Sequence, residues 1–145
     1  SGMLNWDDNK NLQARIAHLG FIQGVINRMG LNSFLAKGWT ATLTAAVFAL
    51  SDRKNDARFI LIALLPVAML WLLDAFFLHE EKLFRKLYEK VASGAISSQN
   101  FSMDTRNVRK EVGSEIQVFF SKTLLLYYGT IVGALLFAIF ALLRR

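Results

Sequence analysis

The chain contains no cysteine and a single proline, and three long stretches are almost free of charge. Without cysteine there is no disulfide framework and no thiolate chemistry, a composition compatible with a bacterial inner membrane. The lone Pro66, and the lack of short alternating segments set off by turns, exclude a β-barrel, whose strands would read as alternating segments of about ten residues. A nucleophile–base pair, a phosphate-binding loop and a ligand cluster are all missing. The two histidines, His18 and His79, are far apart in sequence. In His79-Glu80-Glu81 adjacent side chains diverge on a helix, so a solvated interfacial face is expected there and not a metal site. The sequence therefore predicts no enzyme, no cofactor and no metal. No basic segment runs directly into an apolar one at the start, so no cleavable leader is expected, and Ser1-Gly2 ahead of Met3 reads as an expression remnant.

What is present is apolar surface, unevenly distributed. Of the 145 residues, 54% are hydrophobic, with a mean hydropathy of +0.34, which is high for a soluble unit of this length. The net charge is +6. Its basic residues alternate with acids and have no aromatic stacking platform beside them, which argues against nucleic acid and for a face held against anionic lipid. The sequence predicts an all-α integral membrane protein, a single membrane domain over 1–145 whose partner is the lipid bilayer.

Residues 10–31 read as an amphipathic helix with Leu12, Ile16, Leu19, Ile22, Ile26 and Met29 on one face. Asp7, Asp8 or Asn9 would cap its start. Asn32-Ser33 would cap a first span, 34–51, about 27 Å long and just able to cross. Lys37 and Trp39 lie near one end of it, as snorkelling cation and interface anchor. A polar turn over 51–56 leads to a second span, 59–78, which Pro66 should kink. That helix continues to about residue 92. Residues 93–100 read as a loop, and 104–122 as a further helix capped by Ser102 or Asp104. The stretch 79–122 would thus form a cytoplasmic helical hairpin. A third span, 124–143, ends on Arg144 and Arg145, which anchor it at the far interface. Twelve Lys and Arg fall in 1–37 and 79–123, against five on the other side. The larger group should face the cytoplasm, with the amino terminus inside and the carboxyl terminus periplasmic.

Three features bear on function. Asp74 is a carboxylate inside a span, at a cost of about 2.5–3.5 kcal/mol on insertion scales. Lys37 sits at matching depth, so the two should form an ion pair, or Asp74 is a titratable group in a conduction path. Ser33, Lys37, Thr40, Thr44 and Ser51 follow at steps of 4, 3, 4 and 7 and make one helical stripe. It could line a pore in a homo-oligomer, or its hydroxyls could bond their own backbone. Gly38, Ala45 and Ala49 on the adjoining face, and the GxxxG pattern of Gly129 and Gly133, would let another helix approach closely.

The run from His18 to Trp39, continued to residue 50 and by Leu73-Asp74-Ala75-Phe76-Phe77, resembles an uncharacterised family of small bacterial membrane proteins. Members of that family sit beside TIR-like genes in phage-defence neighbourhoods. The arrangement of spans and cytoplasmic helices is also similar, by analogy of architecture, to SLATT-type membrane effectors. The resemblance implies a soluble TIR-like signalling partner and antiviral defence. Together these features lead to the expectation of a homo-oligomeric inner-membrane effector or ion channel that alters permeability. The alternative is a membrane scaffold that recruits a soluble partner through its cytoplasmic helices and conducts nothing.

Overall fold

The structure is a computed structural model that describes residues 6–54 and 56–145. The described residues are mostly helical, and no strand occurs among them: α1 (Trp6–Lys54), α2 (Ala57–Ala92), a 3-10 turn at Arg109–Glu111, α3 (Glu115–Phe119) and α4 (Lys122–Leu143). Among the described residues, α1, α2 and α4 are long and apolar enough to cross a membrane. Phe34, Ile62, Leu65, Leu126 and Phe137 are each 68–75% exposed on these helices. So much large apolar surface is untenable in water and ordinary in lipid.

α1 and α2 form a long antiparallel hairpin, and α4 packs along α2 while barely meeting α1. Antiparallel pairing brings Ser33 to Asp74, and the same register brings Ile22 and Ile26 to Leu87 and Val91. The molecule consequently has two cores. Val47, Ile60, Ala63, Val67, Ala75, Leu124, Tyr128 and Leu135 are buried between the three spans. Ile22, Ile26, Leu87 and Val91 are buried beyond them, under Ile96 and Met103 of the following loop.

Several boundaries differ from those the sequence suggests. No break separates an amphipathic helix at 10–31 from a span at 34–51, because α1 runs through both. Ser33 would compete with the backbone if left free, but its hydroxyl is bound by Asp74, so it caps nothing. Asp7 and Asp8 lie in the first turn of α1, where they favour the positive helix end. The turn expected over 51–56 is shorter, since α1 reaches Lys54 and Asp56 caps α2 by accepting the Arg58 N–H at 2.9 Å; Asn55 lies outside the described residues. α2 continues through Pro66 to Ala92.

The helix expected over 104–122 is largely replaced by turns. Asp104 accepts the Arg106 N–H at 2.9 Å, folding the chain locally where a cap would have extended it. Ser114 and Gln117 form a capping box that starts the five-residue α3 immediately after Gly113. Val108 is buried and Val112 and Phe119 are half-buried, but Ile116 and Phe120 are exposed, so these helically spaced apolar residues share no single buried face. The 10–31 stripe is also only partly buried. Leu12 and Ile16 are exposed because α2, running the other way, has already ended at Ala92.

Candidate functional site

Asp74 is fully buried on α2 at the level where α1 and α4 both reach it. Three donors converge on its carboxylate. Lys37 Nζ stands 2.6 Å from Oδ2, the Tyr128 hydroxyl donates to the same oxygen at 2.8 Å, and the Ser33 hydroxyl donates to Oδ1. Lys37 also donates to Ser33 Oγ at 2.8 Å, and Tyr127 on α4 donates to the Lys37 carbonyl at 2.5 Å. The cluster joins all three long helices around one anion. Its chemistry is that of a clasp: the carboxylate is shielded from water, its lone pairs are occupied, and its countercharge is in contact.

Trp71, one turn before Asp74, lies stacked between Phe119 (4.3 Å between centroids) and Tyr128 (5.6 Å), and its indole N–H donates to the Phe119 carbonyl at 3.0 Å. This stack fixes Tyr128 and secures α3 against α2. Tyr127, Tyr128 and Trp71 escaped the sequence reading, which took only Trp39 among the aromatic residues as an anchor. The signal available was depth, since the two tyrosines lie four and five residues into the third span, as Asp74 lies four from the end of the second.

The other expected residues divide between the inside and the outside of the bundle. Ser33, Thr40, Thr44 and Ser51 are buried within the protomer. Thr40 donates to the Ala36 carbonyl at 2.7 Å, Thr44 to Thr40 at 2.8 Å and Ser51 to Phe48 at 3.0 Å. Among the described residues no buried side-chain nitrogen or oxygen lacks a partner. The stripe thus faces the chain's own helices. Gly38, Ala45 and Ala49 face outward, as do Gly129 and Gly133. A side chain at Gly38, Gly129 or Gly133 would meet nothing within 4 Å, so these small residues bring no helices together inside the protomer. Trp39 is exposed, and the Arg144 guanidinium rests 4.8 Å over the Phe140 ring. Arg145 lines a groove at the far end of the bundle with Ala49 and Ser51.

Outside the spans both histidines act as ties. His18 is fully buried on α1. Its Nε2–H donates to the Ser102 carbonyl at 2.7 Å, which leaves Nδ1 to accept from the Ser98 hydroxyl at 3.2 Å. His79 donates to the Gly113 carbonyl at 2.9 Å. Lys86 and Lys90 on α2 reach Glu111 in the 3-10 turn, and Lys90 in particular holds the Glu111 carboxyl below its usual range. The Arg106 guanidinium beside Asp104 lowers that carboxyl to about 2. Among the described residues no three His, Asp or Glu side chains converge as a metal site would require. Comparison with family models, curated proteins and solved structures returned no match.

Proposed function

We propose that the chain is a membrane scaffold: a three-helix anchor that does not conduct through its own polar stripe, carrying an extramembrane helical unit that engages a soluble partner. The observation that carries this reading is the inward orientation of Ser33, Thr40, Thr44 and Ser51, all buried in the protomer with their hydroxyls occupied. A pore-lining helix must turn its polar face toward a water-filled path. Three of these hydroxyls bond the backbone of α1 itself, Ser33 binds Asp74 of α2, and all four side chains are buried inside the protomer. The charge bias orients the amino terminus and the 79–121 unit toward the cytoplasm of a bacterial inner membrane, and the resemblance to proteins beside TIR-like genes gives the partner's class and a role in defence.

The test uses Thr44→Cys, a lone thiol near mid-span. In liposomes it should resist a membrane-impermeant thiol reagent, which needs water to form the reactive thiolate, and the vesicles should not leak. Labelling of Thr44→Cys, with ion flux falling as it proceeds, would overturn the scaffold.

A second reading, the homo-oligomeric permeability effector, draws on the outward small-residue faces. Gly38, Ala45 and Ala49 make a shallow surface on which another copy could pack, and Thr42 lies exposed on the same face. An inter-protomer path would then run past Thr42. In that case Thr42→Cys labels and Thr44→Cys does not, while Leu136→Cys, half-exposed on α4, stays unlabelled in lipid.

A further inference from the structure

Far from the clasp, α1 passes the turn that follows α2, and a cavity of about 410 Å³ opens between them. Asn11 and Arg15 line one wall, and Gly94, Ser97, Ser98 and Gln99 the other. The lining holds one cation, two side-chain amides and two hydroxyls, and no carboxylate. Arg15 takes part in none of the ion pairs formed by the described residues. Its neighbours one turn away on α1 are Asn11, Leu12, His18 and Leu19, so its own helix offers it no anion. Asp7 and Asp8 lie further toward the amino end and outside the lining.

The opposite wall is held in place. Gly94 turns the chain out of α2 with φ +81, a conformation that favours glycine. Arg15 Nη2 lies 3.6 Å from where a Cβ on Gly94 would stand, so the guanidinium rests directly over the turn. Buried His18 binds both Ser98 and Ser102, which fixes the loop carrying Ser97 and Gln99. A guanidinium with neutral amides and hydroxyls around it that can turn their N–H and O–H groups inward, on a fixed frame and with no carboxylate to compete, suits an anion.

We infer that this cavity binds a small soluble molecule bearing a phosphate or carboxylate group, with Arg15 as its cation and Asn11, Ser97 and Gln99 as neutral donors. A lipid headgroup offers the same chemistry but is out of reach. Arg15 precedes Phe34 by nineteen residues of unbroken helix, about 28 Å of helix rise. The volume exceeds that of bare phosphate and leaves room for an organic group. A ligand here would join α1 to the 94–99 turn and so give the extramembrane unit a signal input. This goes beyond the scaffold reading and does not depend on whether the spans conduct.

Pyrophosphate is the probe, added to the full-length protein in detergent at constant ionic strength and followed by calorimetry and thermal melting. It should bind the native chain and raise its melting temperature. Arg15→Gln should weaken binding about ten-fold or more, the scale of one charge-assisted contact, and Arg28→Gln, an equal loss of charge elsewhere on α1, should leave it unchanged. Because Arg15 forms no ion pair among the described residues, the ligand-free melting temperature of Arg15→Gln should match the native one; if it does not, Gln99→Ala must weaken binding instead. Equal effects of the two arginine substitutions, or no binding of pyrophosphate, would overturn the site. In nanodiscs the affinity should be the same with anionic as with zwitterionic lipid, and competition by anionic lipid would overturn the assignment to a soluble ligand.

Discussion

Asp74 concentrates the energetics of the membrane core in one side chain. Three donors from two other helices end on it, and breaking a buried pair from one side leaves the other charge without compensation. Asp74→Asn should therefore lower stability by about 3 kcal/mol, the bottom of the range for buried pairs because Lys37 keeps some contact with solvent. Adding Lys37→Met should recover much of that loss, since no charge is then stranded. Thermal melting of the four variants in detergent makes the double-mutant cycle, and strictly additive losses would rule the clasp out as a coupled unit. Counting residues from the span ends already puts Lys37 and Asp74 at one depth. It cannot supply helix rotation, which decides that Ser33 and Tyr128 point at the same carboxylate while Trp39 points away.

At the scale of elements, the 3-10 turn at Arg109–Glu111 has little buried surface of its own and is tied to α2 through Glu111. The Glu111 carboxyl is depressed below its ordinary value of 4.5 by Lys90 and Lys86, so the ionised tie contributes above that value and is lost as pH falls through the lower, folded one. Glu111→Gln should accordingly speed hydrogen exchange of the 108–112 amides relative to the native chain at neutral pH, and the difference should vanish in strong acid. A difference that persists unchanged at low pH would assign it to packing. The long apolar windows made three helices legible because length and hydropathy act locally. The second arm of the expected hairpin was illegible for the opposite reason: Val108, Ile116 and Phe120 have helical spacing, but Gly113 and the Asp104–Arg106 turn interrupt the backbone that would carry it. Asn32-Ser33 misled similarly. A residue that caps a helix in isolation sits within one when a distant carboxylate takes its hydroxyl.

The whole molecule divides into an apolar bundle and a polar, well-tied unit built on the same two helices. The distribution of Lys and Arg sets a definite expectation for its orientation. A reporter following Arg145 should be active in the periplasm and one inserted within 93–100 in the cytoplasm, the two readouts coming from parallel fusions. Both on one side would mean that one of the three helices does not cross, α1 first among them because its span is the least apolar. The continuity of α1 has a mechanical meaning as well. Its 49 residues make a rod of about 74 Å, fastened to α2 at Ser33 and Lys37 and again, nearer its outer end, at Ile22 and Ile26. A load on that outer end is therefore shared between two separate attachments on one unbroken helix, a stiffness that two helices joined by a loose turn would not possess.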